Sequence, residues 1–343
     1  MAEYHLQVKP GTDAFCLAAM VAVLVQEGLV RRSWIDEHTT GFDAIARAFA
    51  AIDIDEYSAR SGVDGELVRA AARRIEAAAS VAVFEDLGIQ MNRHSTMNSW
   101  LEKLLWALTG NFGVAGTQYM SSSLVSLVRK SGGGPKAEPV SPVTGSKIIS
   151  GLVPCNVIPE EILTDHPDRF RAMIVESSNP AHSVADSRAC REAFESLELL
   201  VVIDVAMTET ARLAHYVLPA ASQFEKPEAT FFNLEFPHNT FHLRHPLMTP
   251  LPGTLPEPEI WARLVRALGV VDDAELDPLR RAARDGLDSY LGAFFGAVGA
   301  NPSLGRVLPY VLYETLGPTL PDGLAGAAAL WGLAQKTAMT YPD

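Results

Sequence analysis

The feature that most constrains the fold is an uninterrupted apolar run, Leu-Leu-Val-Val-Ile, at residues 199–203. A strand that is apolar at every position is buried on both faces, which is typical of a parallel sheet covered by helices. Shorter apolar segments lie at residues 172–175 and 216–218, and residues 185–196 have a helical pattern. Strands that alternate with helices predict an α/β fold with doubly wound sheets and flanking helices.

The N-terminal third is predicted to be mainly helical. A first apolar helix begins after Pro10-Gly11-Thr12 and can end at Gly28, because glycine tolerates the left-handed conformation that closes many helices. Helices are predicted at residues 13–27, 33–38, 42–51, 64–78, 97–108 and 259–268, and a buried strand at 80–84. We expect a long loop at 113–153, irregular structure at 227–258 and helices with Pro-containing breaks at 277–343.

The charge balance and the cysteines exclude several classes of protein. With 41 acidic against 28 basic residues and a formal net charge of −13, the chain is a poor nucleic-acid binder, because phosphate contacts need Lys and Arg. Cys16, Cys155 and Cys190 are too far apart to form a zinc site or an iron–sulfur cluster by themselves. We see no secretory signal and no segment for membrane insertion, so a cytoplasmic protein is expected.

Three histidines, His238, His242 and His245, are close together and could suggest a metal site. His238 and His242 would share a face only in a helix, and Pro237 and Pro246 bracket the segment. We therefore favour histidines that pack or face solvent, and we predict no metal ligand.

Polar residues follow two of the predicted strands. Asn179 comes after the segment at 172–175, and Asp204 directly follows the apolar run. Ligands of open α/β sheets bind beyond the carboxyl ends of the strands, where Asp204 could accept two N–H donors from a base or hydroxyls from a ribose. The alternative is that these residues, with Thr208 and Glu209, only form loops and caps.

A similar choice remains open at Pro10-Gly11-Thr12-Asp13, which precedes the first predicted helix. The backbone N–H groups at a helix N-terminus can hold an anion. A plain helix cap made by Thr12 or Asp13 explains the same tetrapeptide.

Taken in order, these segments resemble the molybdopterin oxidoreductases of the DMSO-reductase superfamily, which include formate dehydrogenases and nitrate reductases. The resemblance covers roughly residues 5–268. The matching segments are Pro10-Gly11-Thr12-Asp13, Leu108-Thr109-Gly110-Asn111-Phe112-Gly113, Ser178-Asn179-Pro180, Val202-Ile203-Asp204, Thr208-Glu209-Thr210-Ala211, Val217-Leu218-Pro219 and Glu225-Lys226. Residues 87–91, Leu-Gly-Ile-Gln-Met, depart from the nitrate-reductase pattern.

The resemblance implies a bis(molybdopterin guanine dinucleotide) cofactor with molybdenum, and two-electron redox chemistry or oxygen-atom transfer on a small-molecule substrate. The cofactor-binding residues that it implies are Gly11, Thr12, Asp13, Asn179, Ile203, Asp204, Lys226 and Glu259. No catalytic residue is assigned. An iron–sulfur cluster is expected only if a cysteine-rich region precedes Met1.

The resemblance also implies an organisation in parts. We expect a first α/β dinucleotide-binding part at 1–125, a crossover loop at 126–155, a second such part at 156–225, a cofactor-flanking segment at 226–270 and a helical region at 271–343. The chain is expected to be an internal fragment, inactive alone, that works with an electron-transfer subunit or a complementary fragment.

Two other functions remain open at this point. The same fold serves as a non-catalytic scaffold in the large iron–sulfur subunit of respiratory complex I. The chain could also be an unrelated nucleotide-binding α/β protein, although the Thr208-Glu209-Thr210-Ala211 block argues against that.

Overall fold

The computed structural model describes residues 2–120, 139–149, 151–230 and 238–340. The chain divides into two compact units, Met1–Ser121 and Ser122–Asp343, and each has its own hydrophobic core. Much of the predicted crossover loop at 126–155 and residues 231–237 of the segment at 226–270 lie outside the described residues.

The first unit consists of helices in its described part. They are α1 (Asp13–Gln26), α2 (Arg32–His38), α3 (Phe42–Ala50), α4 (Ile54–Ser61), α5 (Gly65–Glu76), α6 (Leu87–Gln90) and α7 (Ser95–Leu108). The five helices predicted here are confirmed to within two residues at each end. Gly28 follows α1 with φ +70°, as its predicted role at the end of that helix requires.

Helix α1 lies at the centre of this unit. It packs against α3, α4, α5 and α7, and every residue from Ala18 to Leu24 is buried. A helix that is apolar on all sides must be enclosed by others, and burying one large aliphatic side chain contributes about 1.5–3 kcal/mol. The packing therefore fixes the position of the Gly11-Thr12-Asp13 turn at the N-terminus of α1.

Two predictions for this unit need correction. The predicted buried strand at residues 80–84 is absent, since the segment pairs with no strand and Phe84 is 86% exposed. Hydrogen bonds from or to side chains hold it instead. The Val81 N–H donates to Asn111 Oδ1 at 2.9 Å, and the Gln118 side chain donates to the Val83 carbonyl. Helix α4 was not predicted, although Asp53 caps it by accepting the N–H groups of Asp55 and Glu56.

The second unit contains the predicted parallel sheet. Its strands are β1 (Ala172–Glu176), β2 (Leu199–Asp204) and β3 (Tyr216–Pro219), in the order β1-β2-β3. Glu176 pairs with Ile203, and Ile203 pairs with Leu218, so all three strands end at the same edge. The predicted α/β fold with flanking helices is confirmed, and this edge is where the polar loops begin.

Helices cover this sheet. Between β1 and β2 lie α9 (Pro180–Ser183) and α10 (Ser187–Glu195), and α8 (Ile158–Ile162) packs on α10. Phe194 of α10 is 1% exposed within a core that includes Leu200 and Val202 of β2. The run at 199–203 is therefore buried in part, because Leu200, Val202 and Ile203 are buried whereas Leu199 at the start of β2 is 40% exposed.

Glu161 of α8 fixes the chain that leads into this unit. Its buried carboxylate accepts the N–H groups of Val143 and Thr144, at 3.0 and 2.9 Å, and the Thr144 hydroxyl at 2.8 Å. Burial raises the pKa of Glu161, but hydrogen bonds with Ser141, Thr144 and Val143 outweigh burial and leave its pKa below the usual value.

The rest of the second unit departs from the sheet. Residues 228–244 include a short antiparallel pair, β4 (Glu228–Thr230) and β5 (His242–Arg244), where only irregular structure was predicted. Then follow α11 (Glu257–Ala267), α12 (Asp273–Asp285), α13 (Leu287–Ala300), α14 (Pro302–Arg306), α15 (Leu308–Thr315) and α16 (Ala328–Thr340). Helices α12 to α16 enclose a core around Tyr290 and Phe294, to which Ala262 of α11 also belongs. None of the described helices is long and apolar enough to cross a membrane.

Candidate functional site

The loops after β1 and β2 are joined by the side chain of Asn179. Its Nδ2 donates to Glu209 Oε2 at 2.6 Å, and its Oδ1 accepts the Thr210 N–H at 3.1 Å and the Thr210 hydroxyl at 2.9 Å. Thr210 is fully buried and accepts in turn the N–H of Ala181. The hydrogen bond from Asn179 lowers the pKa of Glu209, so this carboxylate is ionised at neutral pH.

The same edge of the sheet carries a strained backbone position. Ser177, directly after β1, adopts φ +50°, and its N–H donates to the Ile203 carbonyl at 3.0 Å. A residue other than glycine is held in this left-handed region only where the surrounding structure enforces it. The turn directs the chain out of the sheet toward Asn179.

Asp204 and Ile203 differ in what they can offer a ligand. Ile203 is fully buried against Ala220 and Ile260, and its carbonyl accepts the Ser177 N–H, so it presents no group to a ligand. Asp204 is partly exposed, and its Oδ1 accepts the Ala206 N–H at 3.0 Å. Among the described residues its carboxylate makes no other hydrogen bond, which leaves acceptor sites for N–H or O–H donors.

Lys226 and Glu259, which are far apart in the sequence, line one cavity of about 360 Å³ in the second unit. Its walls also include Tyr313, Pro258 and Gly326. Lys226 pairs with Glu257 at 2.5 Å, and both side chains are mostly buried. The cavity volume lies within the range of small-molecule sites, about 300–1,000 Å³, and its few polar groups stand among apolar ones.

Glu259 is held by two donors. Tyr313 Oη donates to its Oε2 at 2.5 Å, and Arg263 Nε donates to its Oε1 at 2.7 Å. Burial raises the pKa of Glu259, but the hydrogen bonds from Tyr313 and Arg263 outweigh burial and leave its pKa below the usual value. Burial and the neighbouring Glu259 raise the pKa of Tyr313, which therefore remains a donor at neutral pH.

A tryptophan links this region to the sheet. Trp261, in the first half of α11, donates its indole N–H to Glu176 Oε2 at 3.0 Å. Glu176 is the last residue of β1. Glu259, which the resemblance implies as a cofactor contact, lies two residues before Trp261, and this tryptophan ties α11 to the carboxyl edge of the sheet.

In the first unit, Gly11 and Thr12 form the turn before α1. Gly11 has φ +80°, and a Cβ placed there would have no neighbour within 4 Å, so the backbone is open at this point. The Thr12 hydroxyl donates to the Lys9 carbonyl at 2.6 Å and caps no N–H of α1. The simple cap considered for Thr12 is therefore absent.

Asp13, the first residue of α1, has a partner that the sequence did not identify. Its Oδ2 accepts a hydrogen bond from the side chain of Asn92, just beyond α6. Leu87 and Met91, which bound the segment that departs from the nitrate-reductase pattern, are largely exposed. The contact between Asp13 and Asn92 is between residues distant in sequence, so no local pattern signals it.

The residues present fit a nucleotide better than a metal ion. An open glycine turn at a helix N-terminus, acceptor sites at Asp204 and a cavity with one lysine and one carboxylate are groups that recognise phosphates and bases. The described residues include no group of three His, Cys, Asp or Glu side chains that could hold a metal. Asn179 fits less directly, because most of its amide is used within the protein.

Comparison with known proteins gives a family match. Residues 2–264 match the family model described as molybdopterin oxidoreductase. The chain is 28% identical over 271 residues to the probable oxidoreductase YyaE of Bacillus subtilis, covering 78% of this chain and 39% of that protein. It is 31% identical over 246 residues to the alpha subunit of F420-dependent formate dehydrogenase 1 of Methanococcus maripaludis, covering 68% and 36%.

A solved structure has a similar fold. The acetylene hydratase from Pelobacter acetylenicus matches with a TM-score of 0.63 and 19% sequence identity, over 78% of this chain and 41% of that one. At this identity the likeness concerns the fold alone. The chain spans less than half the length of the relatives named here.

Proposed function

Because the chain belongs to the molybdopterin oxidoreductase family, we propose that it is part of an enzyme that uses molybdenum held by two molybdopterin guanine dinucleotides. When bound, the metal and the pterin dithiolenes supply two-electron redox chemistry or oxygen-atom transfer on a small-molecule substrate. This chain contributes the loops that bind and orient the nucleotide parts.

The observation that carries the proposal is the shared cavity of Lys226 and Glu259. The resemblance implies each of them as a cofactor contact, and they are 33 residues apart in the sequence. The ammonium group of Lys226 suits a phosphate, and the carboxylate of Glu259 suits a base with adjacent N–H donors. A guanine nucleotide carries both partners in one molecule.

The other candidate residues contribute to cofactor binding in different ways. Asp204 and the Gly11-Thr12-Asp13 turn contact the nucleotides directly, the latter through the backbone N–H groups of Gly11 and Asp13, because that of Thr12 donates to the Lys9 carbonyl. Ile203 is fully buried, so it contributes by packing at the end of β2 and thereby positioning Asp204. Asn179 acts mainly by holding Glu209 and Thr210 in the loop after β2.

We assign no catalytic residue and no molybdenum ligand to this chain, and we propose that it is inactive alone. An electron-transfer subunit or a complementary fragment would complete the enzyme in the cytoplasm. The three cysteines are not grouped, with Cys16 and Cys190 buried, so an iron–sulfur cluster would need ligands from elsewhere.

Isothermal titration calorimetry of the purified chain with GDP and ADP tests the nucleotide part of the proposal. GDP shares its base, ribose and diphosphate with the cofactor. We expect GDP to bind at least about tenfold more tightly than ADP, because adenine lacks the adjacent N–H donors that a carboxylate can accept. Equal or undetectable binding of both would overturn the guanine assignment and favour the non-catalytic scaffold of the same fold.

A further inference from the structure

Part of the wall of the cavity that Lys226 and Glu259 line is formed by residues that lie beyond the family match. The match ends at residue 264, yet Tyr313 of α15 and residues 323–330, which lead into α16, line the cavity. The described residues therefore join the two segments at one site, rather than leaving the C-terminal helices as a separate appendage.

The contact between the segments is specific. Tyr313 donates to Glu259 from a rigid position, since Val311 and Leu312 in the same helix are buried in the core of α12 to α16. With Arg263 on the other oxygen, both carboxylate oxygens of Glu259 are fixed. Each oxygen keeps further acceptor capacity for a ligand.

A second contact holds the segment around Gly326 against α11. A Cβ placed on Gly326 would lie 3.1 Å from Pro258 Cγ, closer than side chains ordinarily approach. Pro258 lies between Glu257, the partner of Lys226, and Glu259. The segment after α15 thus packs directly on the turn of α11 that carries both carboxylates.

We propose that Tyr313 is a positioning residue that holds the Glu259 carboxylate for the base of a guanine nucleotide, so that the helices beyond residue 264 take part in binding. The inference rests on the proposed function, because it takes Glu259 as a nucleotide contact. The competing explanation is that the hydrogen bond only fastens α15 to α11.

Tyr313→Phe, which removes only the hydroxyl, separates these explanations. We expect GDP affinity to fall about five- to tenfold at pH 7, as for the loss of a hydrogen bond to a charged group. The hydroxyl lowers the pKa of Glu259, so its removal raises that pKa, and binding should weaken at a higher pH during acidification. Calorimetric titrations between pH 5 and pH 8 measure both effects.

Tyr290→Phe is the matched control. It removes a buried hydroxyl that bonds Thr315 in the same helical core, away from the cavity, and should leave both the affinity and its pH profile unchanged. Arg263→Gln, at an exposed position, provides a second variant should Tyr313→Phe unfold, and it should shift the pH profile in the same direction.

The outcomes distinguish a wrong role for Tyr313 from a wrong proposed function. If the wild-type chain binds GDP and Tyr313→Phe binds it with the same affinity and pH profile, Tyr313 only connects α15 to α11 and the inference is wrong. If the wild-type chain binds no GDP, the proposed function fails first, and the inference fails with it.

Discussion

Two regions of the second unit carry residues proposed to bind the cofactor, and they use their polar groups differently. At the carboxyl edge of the sheet, most of the hydrogen-bonding capacity of the Asn179 side chain is taken up by Glu209 and Thr210. In the cavity at α11, Lys226 and Glu259 also have partners, but both side chains line open space. Polar groups whose hydrogen-bonding capacity is fully used hold the loops of a site in place. Polar groups that keep free capacity and face a cavity can bind a ligand.

The difference follows from the number of hydrogen bonds that each group can make. An amide oxygen accepts about two, and Asn179 Oδ1 has both from Thr210. A lysine ammonium donates three, and among the described residues Glu257 takes one from Lys226. We therefore expect substitution of Asn179 at the sheet edge to affect stability first, and substitution of the cavity residues to affect nucleotide affinity first.

Asn179→Ala should produce the largest effect, on stability. It leaves Thr210, which is fully buried, without its partner, at a cost of about 3 kcal/mol for the unpaired groups. For a unit of this size the melting temperature should fall by about 6–12 °C in differential scanning calorimetry. Ser178→Ala, at the exposed neighbouring position, is the control and should change it little.

A stable Asn179→Ala variant that loses GDP binding would reverse the comparison. The amide would then be a ligand contact and not a link between loops. A loss of stability accompanied by weaker binding agrees with the role proposed here, because the loop that carries Asp204 depends on the link.

Lys226→Met should produce the next largest effect, on affinity. It keeps an apolar side chain of similar length and removes the charge that suits a phosphate, so the Kd for GDP should rise about tenfold in calorimetry. Glu257→Gln is its counterpart, because it frees the ammonium group from its partner. Binding should then be no weaker than in the wild-type chain.

An unchanged Kd in Lys226→Met would show that the lysine only pairs with Glu257. The cavity would then resemble the sheet edge, and the contrast between the two regions would disappear.

Local patterns were enough to predict much of the fold. The run at 199–203 indicated β2 and its parallel sheet, and the apolar stretch after Asp13 indicated α1. Helix α4 was missed because Ser58 and Ser61 occupy buried positions beside Ile54, which weakens its apolar pattern. Residues 80–84 have strand-forming side chains, but a strand also needs a paired neighbour, which propensity does not reveal.

The candidate site could be predicted only in part, for a related reason. Motifs indicated Lys226 and Glu259 singly, and no local pattern placed them in one cavity. Tyr313 and Asn92 were missed altogether, because their contacts with Glu259 and Asp13 join distant parts of the chain. Residue types signal chemistry, but tertiary packing decides which groups keep free hydrogen-bonding capacity.

Gly326→Ala should give the smallest effect and the sharpest test of the cavity wall. Its Cβ would lie 3.1 Å from Pro258 Cγ, so the segment before α16 must move by a few tenths of an ångström or press on α11. We expect GDP affinity to fall about two- to threefold, with a loss of stability of about 1 kcal/mol or less. Gly296→Ala, in α13 with no atom within 4 Å of the added Cβ, should leave affinity unchanged. Should both variants bind GDP as the wild-type chain does, the wall formed by residues 323–330 tolerates displacement, and only Tyr313 connects the C-terminal helices to the site.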